Sequence, residues 1–343
     1  MNIIVLIDKF KGTLSSNTLG KITKSTLSKK GHNVDYFPIS DGGNGFLQTI
    51  MFNKNVRKKY ATVNDALNNK IKAMYLMENE NVYIEVAKII GINRHRKYDI
   101  YNATTYGIGQ IIIDAIKKGG KNFYIGLGGT ITNDGGKGML EALGYQFLDN
   151  KIINNSNIDF NKYNFNIVSD VNNPLLGKNG ATYMFSKQKG AKSKDLEPLE
   201  NKMEQFHKLV KKHLDKDYSN YKGAGAAGGL GYGFLSMLNA KYHKGIDFTL
   251  AYLKIDEIIN NYDLIITGEG KVDNQSLNGK VVFEILKKYN KPTIIVCAIN
   301  KSDDKNLNIY SIVSEKVSIE DSLNNPVRNY IKLLNNIIKN KII

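Results

Sequence analysis

Residues 126–136 read Gly126, Leu127, Gly128, Gly129, Thr130, Ile131, Thr132, Asn133, Asp134, Gly135 and Gly136. The residues before this stretch, 122–125, predict a short buried strand, and the apolar residues after it, from Met139 to Leu143, recur at helical spacing. Glycines at a strand end let the backbone adopt positive φ and leave amide groups open to a ligand. A helix that began near Asn133 would add partial positive charge there. We therefore expect this glycine loop to bind phosphate oxygens.

Polar side chains among these glycines strengthen the prediction. Thr130, Thr132, Asn133 and Asp134 offer hydroxyl, amide and carboxylate groups that can bind phosphate, hydroxyl and metal together. The alternative is that the glycines only make a turn. The chain has neither a Walker A loop nor a dinucleotide-binding glycine motif with an acidic residue at ribose distance, so a nucleotide enzyme here needs a different architecture.

Three predicted strands end in an acidic residue. The apolar run from Ile3 to Ile7 precedes Asp8, residues 34–39 precede Asp41 and its following glycines, and residues 166–169 precede Asp170. Open α/β sheets bind ligands at the carboxyl ends of their strands. Two successive βα units with an acid close to glycine therefore suggest a shared cleft, although each acid alone could be a helix cap or a loop ion pair.

The predicted domain order is an open α/β domain, a second domain and a return to the first. From about Lys58 the pattern changes to short alternating strands, and βαβ character returns at the strand 263–267. Residues 148–165 predict a surface loop, and residues 193–214 predict a lysine-rich helix. The glycine-dense stretch 223–233 predicts either close helix packing or close approach of the backbone to a nucleotide.

Composition restricts the class of protein. The 343 residues are 42% hydrophobic, enough for two folded domains, and the formal charge of +16 comes from lysine scattered through asparagine-rich segments. Such scatter argues against nucleic-acid binding, but the positive charge could help to attract anionic substrates such as ATP.

The single cysteine, Cys297, excludes a disulfide within the chain. No apolar run approaches about 18 residues, so we expect no membrane span and a cytoplasmic location.

Laid side by side, these segments resemble the bacterial glycerate kinase family, which includes enzymes of glyoxylate and glucarate catabolism. The matching motifs run in order through nearly the whole chain, at 8–15, 41–45, 103–109, 128–136, 170–177, 188–191, 223–231 and 267–280. The resemblance implies two different α/β domains. One is a flavodoxin-like parallel sheet built from both chain ends, residues 1–57 and 261–343, and the other is an inserted mixed α/β domain, residues 58–260.

The resemblance also implies direct phosphoryl transfer from ATP, with Mg²⁺, to D-glycerate in an interdomain cleft. The product is expected to be 2-phosphoglycerate, and the oligomeric state stays open. Transfer needs cations, metal-holding acids and backbone amides around the phosphates. The candidate catalytic residues are Lys11, Asp41 and Asp170. The candidate substrate- and phosphate-binding residues are Asp8, Gly42, Gly43, Gly128, Gly129, Thr130, Asn133, Asp134, Lys189, Gly228, Gly229 and Lys280. The candidate Mg²⁺ ligands, through Mg-ATP, are Asp170, Glu269 and Asp273.

The chain departs from the family at polar positions. The family usually has serine at Lys9 and glutamate at Asn44, and after Cys297 it has a glycine-containing turn that this chain lacks. These changes leave two alternatives beside a glycerate kinase. The acceptor could be another small hydroxy acid, or the chain could be a catalytically weakened nucleotide-binding homologue.

Overall fold

The structure is a computed structural model that describes residues 1–94, 98–273 and 281–339. Its strands are β1 (Asn2–Ile7), β2 (Asn33–Tyr36), β3 (Arg57–Asn64), β4 (Lys70–Glu78), β5 (Asn81–Glu85), β6 (Asn122–Gly126), β7 (Tyr145–Phe147), β8 (Ile152–Asn154), β9 (Asn164–Val168), β10 (Lys241–His243), β11 (Leu264–Asp273), β12 (Thr293–Lys301) and β13 (Ile309–Ser311). Its α-helices are α1 (Ser16–Ser28), α2 (Phe46–Ile50), α3 (Ala87–Ile90), α4 (Tyr106–Lys117), α5 (Lys137–Ala142), α6 (Ala181–Phe185), α7 (Leu196–Leu214), α8 (Ala226–Met237), α9 (Gly245–Tyr252), α10 (Ile255–Ile258), α11 (Val281–Lys288), α12 (Ile319–Asn324) and α13 (Pro326–Lys339).

Contacts divide the chain into two compact units. The first unit comprises Met1–Asp41, Gln48–Asn53 and Ile246–Ile343, and the second comprises Gly42–Leu47 and Lys54–Gly245. The predicted boundary at 260/261 therefore differs from the division at 245/246. The reason is that α9 and α10 bury Ile246, Leu250 and Ile255 in a cluster with Ile4 of β1.

The first unit is built on a five-stranded sheet in the order β13-β12-β11-β1-β2. All its neighbouring strands pair in parallel. Renumbered within the unit, this is the 2-1-3-4-5 order of flavodoxin-like folds. The predicted flavodoxin-like parallel sheet from both chain ends is confirmed.

The apolar run of β1 occupies the centre of this sheet because both of its faces are buried. Ile3, Val5 and Ile7 pack in one hydrophobic cluster, whereas Ile4 and Leu6 pack in another. Successive strand side chains point to opposite faces, so a central parallel strand needs apolar residues at every position. β1 ends where this run ends, and Asp8 follows it.

The second unit contains a six-stranded mixed sheet in the order β10-β9-β6-β5-β4-β3. The pairs from β5 to β10 are parallel, and β3 and β4 form antiparallel pairs. The predicted second, mixed α/β domain is thus confirmed as a fold class. Its core includes a large cluster of buried side chains with Ile84, Ile125, Ile167 and Leu230.

Three local predictions differ from the structure. The helix after the glycine loop begins at Lys137 instead of near Asn133. The predicted surface loop 148–165 contains β8 and a 3₁₀ turn at Phe160–Lys162. The glycine-dense stretch forms α8, but Ala227, Gly228 and Gly229 adopt left-handed backbone angles within it.

Within the described ranges, no helix is long and apolar enough to cross a membrane.

Candidate active site

Three parallel strands of the second unit end side by side. In their pairing register, Glu85 of β5 lies opposite Gly126 of β6, which lies opposite Val168 of β9. The glycine loop 126–136 leaves from the middle strand of the three. Its position at the carboxyl edge of parallel strands is where open α/β sheets bind ligands.

The glycine segment 42–45 lies across these strand ends. A side chain at Gly42 would overlap the Val168 carbonyl oxygen, and one at Gly128 would come within 3.0 Å of the Gly43 Cα atom. The amide of Leu47 donates to the buried Glu85 carboxylate over 3.0 Å. Two motifs that are distant in sequence, 42–45 and 126–129, are therefore packed backbone to backbone.

Asp134 organises the far end of the glycine loop. Its carboxylate accepts hydrogen bonds from the amide and the hydroxyl of Thr105, both at 2.8 Å, and from the amides of Gly136 at 3.1 Å and Gly138 at 3.2 Å. Burial raises the pKa of Asp134, and the hydrogen bonds from Thr105 oppose that rise. The carboxylate thus ties the loop to the first residues of α4 and α5.

Lys189 is a buried cation behind the same loop. It is 3% exposed, and its ammonium donates to the Thr132 carbonyl oxygen over 2.7 Å. Burial lowers the pKa of Lys189 to about 8, and Asp134 opposes the fall. A side chain at Gly228 would lie within 2.9 Å of the Lys189 Nζ atom. The structure therefore brings together three predicted elements, namely the glycine loop, Lys189 and the glycine-dense stretch 223–233.

Two other predicted loop residues are buried. The Asn133 amide donates to the Thr182 hydroxyl over 3.2 Å. Thr130 is 3% exposed, and its hydroxyl has no hydrogen-bond partner within the described part of the chain. Such an orphaned hydroxyl is rare in folded proteins.

Asp170 follows β9, and its carboxylate contacts the chain just after the neighbouring strand β10. Its carboxylate accepts a hydrogen bond from the Gly245 amide over 2.8 Å. Gly245 begins α9, so an acid at this point also complements the partial positive charge of a helix start.

In the first unit, Lys9 joins two of the predicted acids. Its ammonium lies 3.0 Å from Asp41 Oδ1 and 3.4 Å from the carboxylate oxygens of Asp8. Burial raises the pKa of Asp8 to about 7, while Lys9 acts to lower it and Asp41 to raise it. Burial acts to lower the pKa of Lys9, but the Asp41 and Asp8 carboxylates raise it above its ordinary value.

The other predicted residues of the first unit lie on neighbouring elements. Asp8 donates its amide to the Gly268 carbonyl oxygen of β11 over 2.9 Å, which brings it beside the strand that carries Glu269. Glu269 is 8% exposed, whereas Lys11 is exposed. Asp273 pairs with Lys271 at 2.6 Å. The predicted Lys280 lies outside the described residues.

The predicted metal ligands form no complete cation cage. No three His, Cys, Asp or Glu side chains are grouped to hold a metal ion anywhere in residues 1–94, 98–273 or 281–339. Mg²⁺ in phosphoryl-transfer sites needs only one or two carboxylates because the substrate phosphates and water complete its shell. Asp170 follows the end of β9, and Glu269 lies within β11. Either carboxylate fits this smaller requirement as the single protein ligand.

A cavity of about 750 Å³ opens beside Asn133 and Asp134 in the second unit. Four lysines line it, and the rings of Phe147 and Phe206 form part of its wall. These lysines are Lys137, Lys202, Lys208 and Lys212. Three carboxylates, those of Asp134, Glu141 and Asp149, also line the cavity, so the lysines exceed the acids by one. The volume suits a ligand of nucleotide size.

Sequence reasoning missed two of these residues. Glu85 ends a buried strand in the same way as Asp8, so the strand-end signal applied to it as well. Lys9 stands in the sequence only as a departure from the family, because sequence spacing does not show that its ammonium can reach an acid 32 residues away.

The sequence matches the model of the glycerate kinase family over residues 3–341. The chain belongs to the glycerate kinase family. The glycerate 2-kinase of Escherichia coli K12 is 32% identical, with 86% of this chain and 84% of that protein covered. The glycerate kinase of Bacillus subtilis 168 is 32% identical, with 94% and 93% covered. A crystal structure from Salmonella typhimurium LT2 that carries the name glycerate kinase 2 is 26% identical, has a TM-score of 0.77 and covers both chains fully.

The family assignment confirms the resemblance and the prediction of a glycerate kinase. The fold class is confirmed as well, since this glycerate kinase shares its fold with the Salmonella structure. The roles of the individual residues stay predictions, as do ATP and Mg²⁺.

Proposed function

We propose that the protein transfers the γ-phosphoryl group of ATP to the 2-hydroxyl of D-glycerate and releases ADP and 2-phosphoglycerate. Family membership supports the reaction class, and the name of the Escherichia coli relative supports the 2-position. The observation that carries the proposal is the packing of the glycine segment 42–45 against the loop 126–129 at the ends of β5, β6 and β9. Backbone amides at such an edge suit phosphate oxygens.

In this proposal the second unit binds phosphate. The glycine loop supplies amides, and the hydroxyl of Thr130 supplies a donor that lacks a protein partner among the described residues. Lys189 fixes the Thr132 carbonyl and adds positive charge next to Gly228 and Gly229. Asp134 acts as a positioning residue, because four donors already occupy its carboxylate. The cavity of about 750 Å³ is the proposed place for the rest of the nucleotide.

The first unit supplies the acceptor chemistry. Asp41 takes the proton of the glycerate hydroxyl as the oxygen attacks the γ-phosphorus and the bond to ADP breaks. Lys11 is the proposed cation for the glycerate carboxylate or the moving phosphoryl group. The carboxylates of Asp8 and Asp41 both contact the ammonium of Lys9. Asp170, Glu269 or Asp273 would hold Mg²⁺ together with the nucleotide, and the ion would neutralise phosphate charge when bound.

Two residues favour an alternative in which the phosphoryl acceptor is a small hydroxy acid other than D-glycerate. Asn44 and Lys9 replace the usual family residues, and the Asn44 side chain lies against Gly129, within 2.8 Å of where a Cβ atom would be. Either change could shift the preference to another small hydroxy acid. A catalytically weakened homologue that binds ATP without turnover is the remaining possibility. We also propose that the enzyme works in the cytoplasm, in line with the single cysteine of the chain.

The test is ADP release from purified protein with ATP, Mg²⁺ and D-glycerate, followed by phosphorus NMR of the product. A 2-phosphoglycerate signal supports the proposal, and a 3-phosphoglycerate signal overturns the stated position. Turnover of another hydroxy acid alone supports the second acceptor. ATP binding without turnover of any acceptor supports the weakened homologue.

A further inference from the structure

Glu85 is a buried acid at the end of β5 to which the proposed reaction gives no role. It is 2% exposed, and its carboxylate accepts a hydrogen bond from the Leu47 amide over 3.0 Å. Glutamate is almost never buried to this extent without specific partners, because its charge loses the stabilisation that water provides. The bond joins the strand to the segment 42–47, which contains the glycine segment 42–45 and the first residues of α2.

The segment 42–47 lies in close contact with the end of β6. A Cβ atom on Gly126 would overlap the Gly42 carbonyl oxygen and would lie 2.7 Å from the Phe46 ring. The side chains of Phe46 and Leu47 are fully buried. The hydrogen bond to Glu85 therefore holds one end of the segment, and the contacts with Gly126 set its distance from the sheet.

The same strand end also holds the glycine loop. The Val86 amide, next in the chain after Glu85, donates to the Gly126 carbonyl oxygen over 3.2 Å. A little further on, the Ile92 amide donates to the Gly129 carbonyl oxygen over 2.9 Å. All of these residues belong to the second unit. The end of β5 and the chain after it thus contact both glycine stretches of the proposed phosphate site.

We propose that Glu85 is a positioning residue for phosphate binding: its carboxylate holds the segment 42–47 so that the backbone of residues 42–45 keeps its place against the loop 126–129. This inference rests on the proposed function, because it takes these two glycine stretches to be the phosphate site. It goes further by assigning a role to a buried acid that acts through the backbone of another segment. Misplacement of such a segment by about 1 Å costs on the order of 10²-fold in rate.

The experiment compares Glu85→Gln and Glu85→Ala with the wild-type protein. Glu85→Gln keeps the volume of the side chain and one acceptor oxygen, whereas Glu85→Ala removes the acceptor altogether. Asp65→Asn is the matched control. Asp65 is 5% exposed in the same unit and accepts the amides of Leu67 and Asn69 over 2.8 and 2.9 Å, but it does so at the turn between β3 and β4.

Two kinds of measurement separate the structural effect from the functional one. Hydrogen–deuterium exchange of peptides that cover residues 42–47, in protein without ligand, shows whether Glu85 holds the segment. Calorimetric titration gives the Kd for ATP, and steady-state kinetics give kcat and KM for ATP and D-glycerate. The midpoint of thermal unfolding is recorded for every protein, so that a general loss of stability can be recognised.

Glu85→Ala is expected to speed exchange in residues 42–47 by about tenfold or more, since it removes a hydrogen bond to a charged group. It should also raise the Kd for ATP and lower kcat/KM for ATP by about 10²-fold. Glu85→Gln should fall between Glu85→Ala and the wild type. Asp65→Asn should lower the midpoint of thermal unfolding and leave the constants for ATP within about twofold of the wild type.

Unchanged exchange in Glu85→Ala overturns the inference that Glu85 holds the segment. Constants for ATP that stay within about twofold of the wild type overturn the positioning role, and so does an equal loss of kcat/KM in Asp65→Asn. Where Glu85→Ala does not fold, the same criteria apply to Glu85→Gln. Wild-type protein that binds no ATP overturns the proposed phosphate site itself, and this outcome is known before any variant is compared.

Discussion

Lys189 and Thr132 are joined by a buried hydrogen bond of 2.7 Å from the lysine ammonium to the threonine carbonyl oxygen. The bond links the end of the short 3₁₀ turn Lys187–Lys189 to the middle of the glycine loop. A cation at this depth is unusual without a carboxylate partner. The ammonium of Lys189 should therefore affect both the free energy of unfolding and the activity of the protein.

The first prediction concerns the pH dependence of stability. Burial lowers the pKa of Lys189 from 10.5 to about 8, so between these values the unfolded chain binds more protons than the folded one. The free energy of unfolding should gain a contribution of up to about 3 kcal/mol as the pH rises through that window. Urea unfolding of the wild type and of Lys189→Met at pH 7.5, 8.5 and 9.5 measures it.

The Lys189→Met curve should lack this rise. Lys187→Met is the control, because Lys187 is exposed two residues away and should reproduce the wild-type curve. Parallel curves for Lys189→Met and the wild type would show that Lys189 titrates normally.

The second prediction tests Asp41 as the base. Asp41→Asn keeps a hydrogen-bonding group next to Lys9 but cannot accept a proton, so kcat should fall by about 10²–10⁴-fold. Asp35→Asn is the control, since Asp35 pairs with Lys24 on the surface of the same unit. Steady-state kinetics with saturating ATP measure the effect. A loss of less than about tenfold, or about 1.4 kcal/mol in barrier, excludes Asp41 as the base.

The third prediction concerns Gly228, whose φ is +70°. A side chain there would overlap the Thr132 carbonyl oxygen that Lys189 binds. Gly228→Ala should lower the free energy of unfolding by about 3 kcal/mol or more through strain and overlap together. Gly177→Ala is the matched control because Gly177 has φ +82° and open space around its Cβ position.

Gly177→Ala should lose only about 1–2 kcal/mol, the cost of the left-handed backbone alone. Chemical denaturation of both variants separates strain from overlap. Equal losses of unfolding free energy in the two variants would mean that α8 and the glycine loop shift enough to accommodate a methyl group.

The fourth prediction restores the family residue at position 44. Asn44 contacts the Gly129 region of the loop, so Asn44→Glu adds a carboxylate at the glycine segment itself. We expect kcat/KM for D-glycerate to rise severalfold relative to other small hydroxy acids. Asn44→Gln has the same length without the charge and should not produce this shift. A competition assay with mixed acceptors measures the ratio, and an equal response of both variants would attribute the change to size.

Sequence patterns predicted the parts of the fold that depend on local burial. The apolar run of β1 and the lysine-rich helix α7 both have local causes. The left-handed backbone angles that begin at Ala227 could not be predicted from the sequence, because alanine normally adopts right-handed helical angles. It depends instead on the packing of Gly228 and Gly229 against the glycine loop.

The sequence predicted which strand ends carry the residues of the candidate site. It did not predict which contacts these residues make. The positions of Asp8, Asp41 and Asp170 after strands were visible in the sequence. Their partners were not, because a side-chain hydrogen bond depends on which loops the sheet order brings together. Asp134 illustrates the limit: its residue type fits metal, phosphate and backbone amides equally, and in the structure its four bonds go to Thr105, Gly136 and Gly138.

The sheet of the first unit also sets an order of events during synthesis. β1 pairs with β11, and the hydroxyl of Thr267 donates to the Leu6 carbonyl oxygen over 2.8 Å across 261 residues. β1 therefore leaves the ribosome long before its partner exists, whereas the second unit is translated in between and carries its own core. The second unit can fold while the nascent chain is still growing, and closing the long loop between β1 and β11 is left to the end. A chain that stops before β11 would leave one edge of the apolar strand β1 unpaired, because β2 covers only the other edge, and this makes premature termination an aggregation hazard for this protein.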